Sequence, residues 1–241
     1  MLGKDTIAAI ATGLSDSGIG IIRISGEQAV KIGNSIFRTV SGTAILKKAE
    51  SHKMYHGYVV NKNGNAVDEV MAVVMRSPRS FTGEDTVEIQ CHGGVLVMKK
   101  ILNLALEAGA RMAEPGEFTK RAFLNGRMDL SRAEAVIDVI HAQNEYALAS
   151  SVNQLKGVLS DKICSLRKSI LYEIAFIESA LDDPEHISIE GYGEQLYGEI
   201  NQWIDTLIGL LSASDSGRIL KEGINTVIVG KPNAGKSSLL N

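Results

Sequence analysis

The residues whose types and spacing point most directly to chemistry are Gly230-Lys231-Pro232-Asn233-Ala234-Gly235-Lys236-Ser237, which match G-x-x-x-x-G-K-[ST] at every fixed position. In such a loop the glycines let backbone N–H groups turn inward around phosphate oxygens, and the following helix adds the positive end of its dipole. Lys236 is placed to reach the β- and γ-phosphates, and the Ser237 hydroxyl to ligate Mg²⁺. The expected phosphate contacts are Asn233, Ala234, Gly235, Lys236, Ser237 and Ser238. The flanks agree. Thr226 to Val229 form a β-branched run with the composition of a buried strand, and Ser238-Leu239-Leu240 open a helix. A plain glycine turn beside a surface lysine does not require four fixed positions in that context.

Three further features lie far upstream. Arg23 sits inside the apolar run Gly20-Ile21-Ile22-Arg23-Ile24-Ser25-Gly26. It reads either as an outward-facing or edge-strand arginine, or as a clamp whose planar guanidinium grips an anion in two places. Glu88 alternates with Val87 and Ile89, so it faces away from their apolar side. That face is either solvated or a cleft, where a carboxylate offers two acceptors to the adjacent N–H donors of a pterin-like ring. Cys91-His92-Gly93-Gly94 sits at a strand-to-helix turn. Adjacent strand residues point to opposite faces, which favours a close-packed turn over a thiolate–imidazole nucleophile. The pair His52 and His56 falls in a strand, where helical metal-ligand spacing has no meaning.

The elements that position these residues divide into three textures. Thr6–Thr12, Ile19–Ser25, Met54–Val60, Val67–Met75 and Thr86–Cys91 read as strands, with a hairpin turn at Asn61–Asn65. Glu27–Phe37 and the stretch from Gly94 to Ala108 have helical spacing. From Pro115 strand signals stop, and Ser131-Arg132-Ala133-Glu134 reads as a capping box. Leu148, Val152, Leu155, Leu159, Ile163, Leu166, Ile170, Ile174, Ile177 and Leu181 step by three or four, predicting one helix from Tyr146 to Asp182. A further helix is predicted over Tyr192–Leu211, then a polar linker at Ser212–Gly217. An apolar content of 44% is ample for a core, and a net charge of −3 argues against a broad basic surface. Two distant cysteines and the lack of any membrane-length apolar run favour a reduced, cytoplasmic setting without membrane partners.

Several long blocks together carry a resemblance. Asp5-Thr6-Ile7-Ala8-Ala9, GIIRISG at 20–26, FTGEDTVEIQCHGG at 81–94, PGEFTKRAFLNGRMDLSRAEAV at 115–136 and GKPNAGKSSLLN at 230–241 occur in this order. With them the whole chain resembles the N-terminal half of the MnmE (TrmE) family of tRNA modification GTPases. The resemblance implies an α+β protein. Residues 1–118 would be a folate-binding, dimerising α/β domain and 119–215 a helical bundle, with 216–241 the first strand and phosphate loop of a truncated Ras-like G domain. It implies that Arg23, Glu88 and Arg127 contact 5-formyl-tetrahydrofolate or a related one-carbon folate, although position 127 is lysine in some members. The nucleotide would be GTP, with Mg²⁺ on Ser237 and K⁺ on Asn233; the alternative for Asn233 is a plain loop residue that tolerates an unusual backbone angle.

The implied activity adds an aminomethyl or carboxymethylaminomethyl group to C5 of the tRNA wobble uridine, U34. It would use a homodimer, in a heterotetramer with the FAD-dependent partner MnmG. The segments that complete a G domain follow the phosphate loop in that family, so these 241 residues are expected not to hydrolyse GTP by themselves. The competing readings are a folate-binding dimerisation module whose phosphate loop is inert, and a phosphate-loop ATPase unrelated to tRNA.

Overall fold

The computed structural model describes residues 5–222, together with residues 227, 229–231, 235, 237 and 238. Its contacts separate into two units, Met1–Ala133 and Glu134–Asn241. In the first, strands β1 (Ile7–Ile10), β2 (Ser17–Ser25), β3 (Phe37–Thr39), β4 (Met54–Val60), β5 (Ala66–Met75), β6 (Thr86–Gly93) and β7 (Arg111–Met112) form one sheet. The order is β3-β4-β5-β6-β2-β1-β7, antiparallel except where β7 runs beside β1. Helices α1 (Ala29–Ile36) and α2 (Val95–Glu107) pack on one face of it, and α3 (Glu117–Leu124) follows β7.

Alternation explains which face the helices take. Val87, Ile89 and Cys91 of β6 join Ile22 and Ile24 of β2 and Val70, Ala72 and Val74 of β5 in a continuous core. Onto it α1 lays Ala29, Ile32 and Ile36, and α2 lays Met98, Ile101, Leu102 and Ala105. Burying each large aliphatic side chain contributes about 1.5–3 kcal/mol, so this layer holds the domain together. The edge needs one glycine. A Cβ at Gly57 of β4 would stand 2.0 Å from the Arg38 carbonyl oxygen of β3, so only glycine admits the pairing.

The predicted hairpin is present, its turn closed by Asn61 Oδ1, which accepts from the N–H groups of Asn63 and Asn65 at 3.0 Å each. The helix expected over 27–37 stops at Ile36. Phe37, fully buried, instead opens β3 with an extended backbone, paired with Val59 of β4. The short β7 and α3 carry no periodic signal and were not expected from the sequence.

Helix α4 (Leu130–His141) starts one residue before the expected capping box. Asp129 does the capping: its Oδ1 accepts from Arg132 N–H at 3.0 Å and from Ser131 Oγ at 2.6 Å. In the second unit the long helix expected over 146–182 is two helices, α5 (Glu145–Lys156) and α6 (Val158–Asp182). The break is Gly157, whose φ of +91° is left-handed and ends α5, while the apolar spacing runs across it unchanged. Helix α7 (Tyr192–Glu222) continues through 212–217, where a linker was expected. That segment has one glycine and no proline, and polar composition alone does not interrupt a helical ladder.

The expected buried strand at 226–229 is corrected where it is described. Val227 and Val229 are outside any strand and 81% and 85% exposed. A strand needs a neighbour for its N–H and C=O groups, and no described residue pairs with these two.

Candidate functional site

The β2–β6 register sets Arg23 opposite Glu88, and period-two alternation puts both on the sheet face away from α1 and α2. Arg23 Nε donates to Glu88 Oε1 at 2.7 Å, with the side chains only 25% and 16% exposed. Two aromatic rings hold the guanidinium. Its carbon lies 5.2 Å from the Phe81 centroid and 5.4 Å from that of Phe118, within cation–π range of both. Phe81 comes from the loop joining β5 to β6 and Phe118 from α3. Among the described residues, Glu88 Oε2 and both Nη groups of Arg23 make no hydrogen bond.

The loop carrying Phe81 is fastened along its length. Asp85 accepts from Arg76 Nη1 at 3.1 Å and from Ser77 N–H at 2.9 Å. Ser80 Oγ donates to Glu84 O at 2.6 Å, and Asn125 Nδ2 to Thr82 O at 2.8 Å. Beneath it the hydroxyls of Ser25 and Thr82 meet at 2.7 Å in a buried cluster. Arg127, just beyond α3, is tied to this loop: its Nε donates to Ser80 O at 3.2 Å.

A second set of charges braces α3. Arg121, 7% exposed, donates to Asp5 Oδ1 at 2.7 Å, to Glu117 Oε1 at 3.1 Å and to Glu84 Oε1 at 3.2 Å. Arg111 bonds Asp5 and Glu117 at 2.6 Å each. These residues line a cavity of about 120 Å³. The Arg111 hydrogen bond, aided by Glu114 N–H and Arg121, holds the Glu117 carboxyl down at about 2. Asp5 is lowered for the same reason, chiefly through Arg111. Every charge in the network has a partner, so it positions Phe118 rather than offering a reactive group.

The structure thus brings Arg23 and Glu88 into contact and ties Arg127 by one hydrogen bond to the loop that carries Phe81. The isolated anion clamp and isolated ring-reading carboxylate of the sequence reading are one ion pair. Phe81, Phe118 and the network from Asp5 to Arg121 were not foreseen. Their only local signal is the i,i+4 spacing of Glu117 and Arg121. Cys91 is buried, donates to Gly20 O at 3.4 Å, and is pushed up to about 11 by burial and then by Asp68, which leaves it an inert thiol. His92 Nδ1 is engaged by Asp68 at 2.7 Å, so no thiolate–imidazole pair forms. Of the phosphate loop, Asn233, Ala234 and Lys236 lie outside the described residues. Gly235 has a φ of +75°, and Ser237 and Ser238 lie in a helical turn whose Ser238 N–H donates to Gly235 O at 3.1 Å. Among the described residues no helix is long and apolar enough to cross a membrane.

The chain is similar to known proteins over nearly its full length. A family model described as the GTP-binding protein TrmE N-terminus matches residues 6–127, and one described as the MnmE helical domain matches residues 130–237. The tRNA modification GTPase MnmE of Lachnoclostridium phytofermentans is 58% identical over 237 residues, covering 98% of this chain and 52% of that protein. Those of Enterococcus faecalis and Geobacillus kaustophilus are 51% and 49% identical, each over 98% of this chain and 51% and 52% of their own length. The chain therefore spans about half the length of the curated relatives it matches.

Proposed function

Because the chain belongs to the MnmE family of tRNA modification GTPases, we propose that its sheet domain binds a one-carbon tetrahydrofolate at Arg23, Glu88 and Arg127. The observation that carries this reading is the Arg23–Glu88 pair held between Phe81 and Phe118. Arg23 fixes one carboxylate oxygen of Glu88 at 2.7 Å, while Oε2 makes no hydrogen bond to a described residue. A carboxylate so held suits the neighbouring N–H donors of a pterin ring, and the ring edges of the two phenylalanines suit its flat body. Arg127, exposed beyond its bond to Ser80, suits an anionic group elsewhere on the folate.

In the same proposal the loop at 230–238 binds GTP phosphates, with Mg²⁺ on Ser237 and K⁺ on Asn233. The whole protein is a homodimer through the sheet domain. With the FAD-dependent partner MnmG it adds an aminomethyl or carboxymethylaminomethyl group to C5 of U34 in tRNA, the carbon unit coming from the folate. The chain's own residues supply binding and orientation in this scheme, and the folate supplies the one-carbon chemistry.

Calorimetric titration with 5-formyl-tetrahydrofolate tests the folate reading. Saturable binding, weakened at least tenfold by Arg23→Ala (about 1.4 kcal/mol), is expected. A folded protein that does not bind it rules out the assignment of Arg23, Glu88 and Arg127.

A further inference from the structure

The loop that carries Phe81 has a second, cationic end. At the end of β5, Arg76 Nη2 donates to the Lys47 carbonyl at 3.0 Å and Arg76 N–H to Ser51 Oγ at 3.0 Å, which fastens the 45–53 segment to the loop. Lys47 and Lys48 project from the short 3₁₀ turn there, and both are exposed. Arg79, also exposed, donates its N–H to Arg76 O at 2.9 Å. Ser80 follows and accepts from Arg127. Lys47, Lys48, Arg79 and Arg127 therefore lie along one hydrogen-bonded path that ends at Phe81 and Arg23.

The charges on this path are poorly matched. Glu50 is engaged by Lys53 and Asp85 by Arg76. Among the described residues Lys47, Lys48, Arg79 and Arg127 form no ion pair. The whole chain carries a net −3, so positive charge is concentrated here against an acidic background. The apolar side chains of the segment turn inward: Leu46 is fully buried. A membrane-surface site would instead place apolar groups outward beside the cations.

We infer that this strip tracks the phosphate backbone of tRNA and leads a single-stranded segment to the Arg23 site. The inference rests on the reading of that site as the place of tRNA modification. Flexible exposed cations make phosphate contacts that position a nucleic acid without reading sequence. An unstacked base, as single-stranded loops present, is thereby brought to the folate read as lying against Phe81, Phe118 and Glu88.

The test compares the full chain, the triple variant Lys47→Gln/Lys48→Gln/Arg79→Gln and a control, Lys99→Gln/Lys100→Gln, on exposed positions of α2. Binding of unmodified tRNA is measured by fluorescence anisotropy across a salt series, with 5-formyl-tetrahydrofolate titrated in parallel. The triple variant is expected to lose at least tenfold in tRNA affinity. Its log–log salt slope should flatten by about 0.7–0.9 for each cation removed, with folate binding and the control unchanged. Wild-type chain that shows no salt-dependent tRNA binding overturns the inference. So does a triple variant that binds like wild type, or a control that weakens equally. Strip-dependent binding to phosphatidylserine vesicles, but not to tRNA, overturns it in favour of a membrane surface. Strip-dependent tRNA binding without folate binding sinks the folate reading alone and leaves the strip in place.

Discussion

Arg23 and Glu88 stand directly opposite each other on antiparallel β2 and β6, and Arg23 Nε donates to Glu88 Oε1 at 2.7 Å between the rings of Phe81 and Phe118. The pair is partly screened by water, so its coupling should resemble a favourable surface pair, on the order of 1 kcal/mol. A double-mutant cycle with Arg23→Ala and Glu88→Ala, read by denaturant unfolding, checks this. Additive effects within about 0.3 kcal/mol would mean the contact contributes nothing to stability.

Arg121 behaves differently because its partners keep it from water. Removing it takes from the buried Glu117 one of two arginine partners, Arg111 remaining at 2.6 Å, so Arg121→Met should cost about 1–3 kcal/mol. The loss is expected as a lowered urea midpoint of the sheet domain. A change below about 1 kcal/mol would show that the network relaxes without cost.

Glu117 makes acid stability a readout of the same network. Its carboxyl is lowered from 4.5 to about 2, chiefly by the Arg111 hydrogen bond. A depressed folded-state value contributes stability fully present above the ordinary value and lost as pH falls through the folded one. Stability should therefore decline between pH 4.5 and about 2, and Glu117→Gln should flatten that decline. An unchanged pH profile in the variant would place the acid sensitivity elsewhere.

The thiols should divide cleanly. Cys164 is exposed, whereas Cys91 is buried and raised to about 11. A thiol reagent at neutral pH should titrate one cysteine in the native protein and the second only in denaturant. Two fast-reacting thiols in the folded state would contradict the packing of Cys91 against Gly20.

Gly57→Ala should lower the melting temperature far more than Gly18→Ala. The added methyl at 57 meets the Arg38 carbonyl oxygen at 2.0 Å, and at 18 it meets nothing within 4 Å. The difference is expected at about 1–3 kcal/mol, and equal melting temperatures would show that β3 shifts freely.

Much of this protein follows from local pattern. Alternation assigned Val87 and Ile89 to one face and Glu88 to the other, because side chains on a strand have period two whatever surrounds them. The hairpin at Asn61 and the G-x-x-x-x-G-K-S loop are likewise short-range chemistry, read from neighbours in the chain. Helix ends were less well determined. The same apolar spacing crosses Gly157, and only the backbone angle there shows where α5 stops.

What the sequence by itself could not decide is who meets whom across the fold. Glu88 lies 65 residues from Arg23, and Asp5 lies 116 from Arg121. Those pairings depend on the register of whole strands and on where α3 settles against the sheet, which many weak contacts set together. So the sequence determined which side chains face away from the core. Tertiary structure alone decided that Arg23 and Glu88 pair and that two phenylalanines hold them. It also decided that Lys47, Lys48, Arg79 and Arg127, without an ion pair among the described residues, lie on the loop beside them or on segments hydrogen-bonded to it.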